Sequence, residues 1–473
     1  MSKIFSTKPV KQLIAETEGK QGLKKSLGAF DLTLLGIGCI IGTGIFVLTG
    51  VAAAKFSGPA LVISFILAGL ACVFAALCYA EFSAAVPVAG SAYTFGYAGL
   101  GEIWAWIIGW DLILEYAVGI ATVAIGWSGY VVNLLKNIGI NLPAAITQSP
   151  FTGGVINVPA VIIIGLIAWL LISGVRNTSN VNGTIVIIKS AAVILFILLA
   201  VWFIKPHNWV PFMPFGFKGV VSGAAYVFFA YIGFDAVSTA AEEARNPQKD
   251  MPKGIIYSLL ICTVLYIIVS AIMTGVVKYT AFGTPAGSAA PVAYALDQIG
   301  IGWGSIIVSV GAICGITSVL LVLMFGQSRI FFAMARDGLI PRVLGRVSEK
   351  HKTPALSTII VSVLCALTAG FFPIDIVAEL TNIGTLFAFI IVCAGVLVLR
   401  YKQPNMNRPF KTPWFPVVPI LGILSCAYLI TGLQPVTWIR FVVWLIIGLI
   451  VYFGYSIRHS ELHKSSEGEN ITD

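Results

Sequence analysis

Two glycine-rich stretches of the sequence hold residues that could bind a small molecule through the polypeptide backbone. The first surrounds Thr43 with Gly42 and Gly44, and the second has Gly233 and Asp235 near its middle. Each lies inside a long apolar run. Glycine destabilises a helix interior by about 1 kcal/mol relative to alanine, so glycine at these points favours backbone that leaves the helix. Because unwound backbone in apolar surroundings needs partners for its N–H and C=O groups, both stretches predict a binding site.

The groups exposed at the two predicted breaks differ in polarity. The N–H groups of Gly42, Thr43 and Gly44 would form the positive end of a half-helix and suit a carboxylate, to which the Thr43 hydroxyl adds a donor. Carbonyl groups that suit an ammonium group are expected near four residues: Ile40, Phe229, Ala230 and Ile232. Together the two sets predict recognition of a zwitterion. The alternative is that the glycines only allow close packing between helices.

Lys189 stands within an apolar run, NGTIVIIKSAAVILFILL, where an ammonium group is costly and is therefore a candidate for function. Burial favours the neutral form of an amine, so this lysine could take up and release a proton. We expect Glu115 to be its partner. The alternatives are a lysine that snorkels to the membrane interface and one that is permanently paired with a carboxylate.

Two more carboxylates lie near these candidates. Asp111 precedes Glu115 by one helical turn and shares its face, and we expect it nearer the cytoplasmic end, where water could reach it. Asp235 follows the second break, and we expect it to cap the next half-helix by accepting backbone N–H groups.

The composition decides which solvent surrounds these residues. The 473 residues are 58% hydrophobic and 10% charged, with mean hydropathy +0.95. A soluble domain carries roughly a quarter charged residues, so an ordinary globular protein is excluded and lipid is the expected solvent. The net charge of +9 comes from short basic clusters between apolar runs, which argues against a nucleic-acid partner.

Twelve apolar runs are long enough to span about 30 Å of hydrocarbon as helices. They are expected at 30–54, 58–84, 99–133, 157–175, 181–204, 217–242, 252–277, 301–333, 355–372, 375–400, 415–433 and 436–458. An even number of spans places both termini on one side. Most lysines and arginines lie on that side as well, so the positive-inside rule predicts cytoplasmic termini. The eight cysteines are scattered singly, which predicts neither a metal site nor a redox motif.

Four motifs resemble the amino acid-polyamine-organocation (APC) superfamily, in its bacterial cationic amino acid transporter branch. They are GIGCIIGTGIFVLTG, PVAGSAYTF, FFAYIGFDAVSTAAEEARNPQKDMPKGI and FGQSRIFFAMARDGLIP. The resemblance implies an all-α, LeuT-like fold of twelve transmembrane helices, with the first and sixth discontinuous. It implies a cytoplasmic tail at 1–29, two inverted five-helix repeats at 30–204 and 217–400, two further helices at 414–458 and a cytoplasmic tail at 459–473.

The resemblance also implies a function, which is alternating-access transport of an L-amino acid across the plasma membrane. Carboxylate contacts fall on Thr43 and Gly44, amino contacts fall on carbonyls near Ile40, Phe229, Ala230 and Ile232, and Phe229 becomes an aromatic gate. We expect proton symport through Lys189 and Glu115, with no other cofactor. The bulky apolar residues of the eighth helix, Val319 and Leu320, favour neutral substrates such as alanine, with cationic amino acids weaker.

Other functions stay open at this point. The chain could be an amino acid exchanger, a sodium-coupled transporter, or a receptor that binds an amino acid without moving it. A channel suits discontinuous helices less well. An enzyme is disfavoured because no histidine lies within a predicted span and no catalytic or metal-binding spacing is present in the sequence. The sequence predicts no particular protein partner.

Overall fold

The computed structural model describes residues 27–86, 91–173, 178–346 and 354–462. Most of the predicted amino-terminal tail, and residues 463–473 of the predicted carboxyl-terminal tail, lie outside these ranges. Within them the chain is helical, with one isolated bridge between Leu27 and Ala244. The longer helices are α1 Ala29–Ile40, α2 Leu61–Ala85, α3 Glu102–Asn137, α4 Val158–Ile172, α5 Thr178–Ala200, α6 Gly216–Val227, α7 Pro247–Val276, α8 Gly302–Arg336, α9 Ala355–Phe371, α10 Ile374–Lys402, α11 Val417–Thr431 and α12 Pro435–Val451.

These helices coincide with the apolar runs to within a few residues, so the all-α prediction is confirmed. Seven helical stretches in the described ranges are long and apolar enough to cross a bilayer, and four shorter apolar helices accompany them. The outward-facing side chains are themselves apolar, as at Trp169, Leu198, Leu364 and Ile450. Extended apolar surface of this kind suits lipid rather than water.

The first apolar run is interrupted where the glycines predict it. Helix α1 ends at Ile40, and Ile41 is extended, with φ −71° and ψ 104°. The helix resumes as Gly44–Leu48 and continues through Thr49–Ala52 and Ala53–Ser57. Glycine is needed at position 42 for space, because a Cβ there would lie 2.9 Å from a methyl carbon of Val319.

The sixth apolar run is interrupted as well. Helix α6 passes into a 3-10 turn at Phe228–Tyr231, and Ile232 is then extended, with ψ 130°. Gly233 has φ +121°, a conformation that side chains with a Cβ rarely adopt, before a second 3-10 segment begins at Asp235–Glu243. The predicted discontinuity of this run is therefore present, and it depends on a glycine.

Four pairs of helices position these breaks. Helix α7 packs along α1, α3 packs along both α8 and α10, and α5 packs along α8. Helices α3 and α10 are the most buried of the long helices, whereas α12 is the most exposed. The two breaks consequently lie deep in the protein, where lipid cannot reach their backbone groups.

Candidate functional site

The two interrupted segments touch each other at their breaks. A Cβ atom added to Gly44 would lie 2.2 Å from the Cα of Ala230, and one added to Gly233 would lie 2.9 Å from the carbonyl carbon of Cys39. Real Cβ atoms essentially never come that close to another atom, so both positions require glycine for steric reasons. The unpaired ends of four half-helices therefore meet in one place.

The carboxylate side of this place is formed by Gly42, Thr43 and Gly44. Among the described residues, none of their three N–H groups donates to a backbone carbonyl. Thr43 is buried, and its hydroxyl also lacks a hydrogen-bond partner within the described ranges. A buried donor without a partner costs about 1–3 kcal/mol, which a bound carboxylate would recover. The threonine packs on α3, because a Cβ added to Gly126 would lie 2.6 Å from its methyl carbon.

The ammonium side is formed by carbonyl groups on both breaks. The Tyr266 hydroxyl of α7 lies 2.8 Å from the carbonyl oxygen of Ile40 and 2.9 Å from that of Ala230. One hydroxyl proton cannot fully satisfy two acceptors, so these oxygens keep capacity for a second donor. An ammonium group, with three donors, would complete them. Sequence reasoning missed Tyr266, whose only signal is a phenolic hydroxyl in the apolar run LLICTVLYIIV.

The other two predicted acceptors differ from each other. The carbonyl of Phe229 accepts the N–H of Ile232 at 3.2 Å, so it is already engaged in the 3-10 turn. The carbonyl of Ile232 receives no backbone N–H from the described residues and is the more available of the two. The Phe229 side chain is buried beside the breaks, as the predicted gate requires.

The wall beside the first break comes from α8. A Cβ added to Gly42 would lie 2.9 Å from a methyl carbon of Val319, so α8 closes directly over the break. Leu320 is fully buried next to it in the sequence. Both side chains are branched and apolar, and they suit an apolar ligand side chain better than a charged one.

Lys189 lies behind the first break rather than inside the site. It is fully buried, and its ammonium group donates to the carbonyl of Gly38, two residues before the end of α1. It also lies 3.3 Å from the Ser318 hydroxyl of α8. Gly315 makes room for the lysine stem, since a Cβ there would lie 2.8 Å from the Cβ of Lys189. The lysine thus connects α5 to the end of α1 and to α8.

The expected contact between Lys189 and Glu115 is not formed in this structure. Among the described residues Lys189 enters no ion pair. Glu115 instead lies on the face of α3 that meets α10, where a Cβ on Gly384 would be 3.7 Å from its own Cβ. The two residues are separated because α5 packs on α1 and α8, whereas this face of α3 packs on α10.

The remaining two carboxylates have different surroundings. Asp235 accepts the N–H of Gly233 at 3.1 Å, so it satisfies a backbone group within the break itself. The 3-10 segment that begins at Asp235 has Phe234 at its N-cap and no side-chain cap hydrogen bond, so the predicted capping of the next half-helix by Asp235 is not seen. Asp111, for which water contact was expected, is fully buried. Helix α10 accounts for this burial, because a Cβ added to Gly384 would lie 2.7 Å from Oδ1 of Asp111.

The structure thus brings backbone N–H groups without a partner close to carbonyl acceptors, at the point where the two interrupted segments meet. The described residues contain no group of three or more His, Cys, Asp or Glu side chains that could hold a metal ion.

Comparison with known proteins agrees with this description. The family model for amino acid permeases matches residues 27–456. The chain is 54% identical to a branched-chain amino acid permease of Bacillus subtilis, over 98% of this chain and 99% of that one. It is 49% identical to a methylthioribose transporter of the same organism, over 98% and 100%, and 38% identical to a branched-chain amino acid permease of Lactococcus lactis, over 91% and 94%. The resemblance read from the motifs is confirmed: the chain is a multi-pass membrane transport protein, not an enzyme, and belongs to the amino acid permease family of the APC superfamily.

Proposed function

We propose that this protein is a proton-coupled symporter for neutral L-amino acids that works by alternating access. The observation that carries the proposal is the meeting of the two helix breaks, where unpaired N–H groups near Thr43 face carbonyls of Ile40 and Ala230 held by Tyr266. An α-amino acid carries its carboxylate and ammonium groups on one carbon, so both sets can engage it together. The backbone groups of the two breaks would therefore bind the part that all α-amino acids share. The side chain of the substrate would contact Val319 and Leu320.

The substrate proposed here is apolar and uncharged. Both branched-chain permeases among the relatives support valine, leucine and isoleucine as candidates beside alanine. The branched apolar wall on α8 supports the same class, because burying an apolar side chain there contributes about 25 cal/mol per Å². Cationic amino acids are proposed as weaker substrates.

The coupling ion proposed is the proton, through Lys189. The lysine donates to the carbonyl of Gly38 near the break, so the protonation state of Lys189 is coupled to the position of α1. When the amine is neutral it loses donors, and the contact between α5 and α1 weakens. Glu115 is proposed as a second proton-binding group, acting from α3. This arrangement accompanies a proposed plasma-membrane topology of twelve spans with cytoplasmic termini, built from two inverted five-helix repeats and two further helices.

The test is uptake of labelled alanine and leucine into proteoliposomes, driven by either a pH gradient or a sodium gradient. Symport predicts concentrative uptake that follows the pH gradient and ignores sodium. Lys189→Ala is expected to lose this driven uptake, whereas counterflow into preloaded vesicles persists. Uptake driven by the sodium gradient would identify sodium, not the proton, as the coupling ion. Counterflow without any gradient-driven uptake would indicate an exchanger. Binding without counterflow would indicate a receptor.

A second candidate is methylthioribose transport, which the 49% identity to a transporter with that name supports. Methylthioribose has hydroxyl groups and a thioether but neither ammonium nor carboxylate. It would therefore bring no charged group to the N–H donors or to the carbonyl acceptors of the site. Competition experiments distinguish the two candidate substrates. If excess alanine suppresses the uptake of labelled leucine and excess methylthioribose does not, the amino acid is favoured as the substrate.

A further inference from the structure

Two buried carboxyl groups, Asp111 and Glu115, lie one helical turn apart on α3. Asp111 is fully buried and Glu115 is 3% exposed. Neither carboxyl oxygen of Asp111 has a hydrogen-bond partner among the described residues, and Oε2 of Glu115 also lacks one.

The walls around these carboxyls supply no donor to Asp111. A Cβ added to Gly384 of α10 would lie 2.7 Å from Oδ1 of Asp111, so the helices close directly over the carboxyl group. Gln327 of α8 uses its amide N–H on the carbonyl of Ile113, at 2.9 Å, and its Oε1 is another buried acceptor without a partner in the described ranges. The atoms of Asp111, Glu115 and Gln327 that have no hydrogen-bond partner are therefore all acceptors, and each of them needs a donor.

Charged groups near this part of α3 do not supply that donor. None of the ion pairs among the described residues includes Asp111 or Glu115. The charged and titratable groups on α3 itself and on the elements packed against it include Asp235 after the second break, Tyr93, which bonds Asp337, Arg329 over the Phe325 ring, Glu379, which accepts from Thr437, Arg400, which pairs with Glu81, and Cys365, which donates to the carbonyl of Ala117. They also include Glu102 and Tyr116 of α3, Arg336 of α8, Cys393 of α10 and Arg440 of α12. An ionised carboxylate buried without a partner costs several kcal/mol.

We infer that Asp111 is a proton-binding site, which holds its proton in this closed conformation and releases it when the α3–α10 interface opens to cytoplasmic water. A neutral carboxyl group gains one O–H donor for the surrounding acceptors, and it removes the buried charge. The proton leaves as hydronium, and the carboxylate that remains is then stabilised by water. Asp111 thus acts in addition to Lys189, and its part in coupling rests on the proposed proton symport.

The protonation of Asp111 is tested first by infrared spectroscopy of the full chain in lipid at neutral pH. The C=O stretch of a protonated carboxyl group should appear in the native protein, and its intensity should fall in Asp111→Asn, whereas an unchanged band in that variant would overturn the inference. The matched control is Asp375→Asn, because Asp375 lies in the first turn of α10 and pairs there with Lys55, so the band should persist. Absence of a protonated-carboxyl band from the native protein would overturn the inference without any variant.

The coupling role is tested by transport in the same vesicles. Asp111→Asn should lose the stimulation of uptake by a pH gradient while counterflow is retained, which also reports that the variant is folded. Stimulation equal to that of the native protein would refute the role of Asp111. Loss of lysine transport with pH stimulation intact would assign the carboxyl to a cationic substrate instead. If the native protein itself ignores the pH gradient, proton symport fails, and the infrared result still decides whether Asp111 holds a proton.

Discussion

Gly44 and Ala230 are so close that a Cβ on Gly44 would lie 2.2 Å from the Cα of Ala230. This contact joins the two helix breaks and brings unpaired N–H groups of one to the free carbonyls of the other. It also explains why glycine at this position is needed for more than backbone freedom, since there is no room for a side chain.

Gly44→Ala should therefore separate the two breaks and abolish amino acid uptake. Overpacking at such a contact costs about 1–3 kcal/mol, and the displaced backbone misplaces both halves of the site. Because the nearest atom is a Cα, a second substitution, Ala230→Gly, should not restore uptake. Gly165→Ala is the matched control, because a Cβ there meets nothing within 4 Å. Normal uptake by Gly44→Ala would contradict the contact.

Thr43→Ala should weaken amino acid binding without unfolding the protein. Its hydroxyl has no partner within the described residues, so the loss falls on the ligand, and a hydrogen bond to a carboxylate contributes about 1.5–3 kcal/mol. We expect the Kd to rise by ~10- to 100-fold, as measured by scintillation proximity. Thr49→Ala is the control, since the Thr49 hydroxyl already donates to the carbonyl of Ile45 at 2.8 Å. Thr43→Ser should restore most of the affinity, and equal effects of the two alanine variants would refute the assignment.

Tyr266→Phe should destabilise the ligand-free protein more than the substrate-bound one. Without the hydroxyl, the carbonyls of Ile40 and Ala230 lose the one proton that they share, at about 1–3 kcal/mol in total, and a bound ammonium group can replace it. The increase in Tm that saturating substrate produces should consequently be larger in Tyr266→Phe than in the native protein. Tyr231→Phe is the control, because that hydroxyl bonds only the carbonyl of Phe65 among the described residues. If saturating substrate raises the Tm of Tyr266→Phe and of the native protein equally, the ammonium group does not bind at these two carbonyls.

Ser318→Ala should reduce proton-driven uptake less than Lys189→Ala does. The serine supplies one of the two hydrogen-bond contacts of the lysine, at 3.3 Å, and the Gly38 carbonyl remains when it is removed. Lys189→Arg should fail, because Gly315 and its surroundings leave little space for a guanidinium group. The measurement is initial uptake rate against imposed pH gradient in proteoliposomes. Driven uptake that survives Lys189→Ala would remove the lysine from coupling.

The sequence by itself determined the helical class and the positions of the breaks. Apolar runs of about 20 residues have few alternatives to helix in lipid, since every backbone group must be satisfied within the run. Clustered glycines, with Thr43 in one cluster and Gly233 in the other, mark where that rule is relaxed. These are local properties of the chain, so they can be read without knowing which helices are neighbours.

Tertiary structure alone decided which side chains meet. The Tyr266 hydroxyl bonds a carbonyl on each of the two breaks. Lys189 donates to the carbonyl of Gly38 and does not contact Glu115. Asp111 packs against Gly384 and does not face water. Each of these contacts joins residues far apart in the sequence, and each depends on how helices rotate and pack against one another. Apolar runs with weak periodicity do not specify that rotation, because lipid and protein interior accept the same side chains; close packing at small residues decides it.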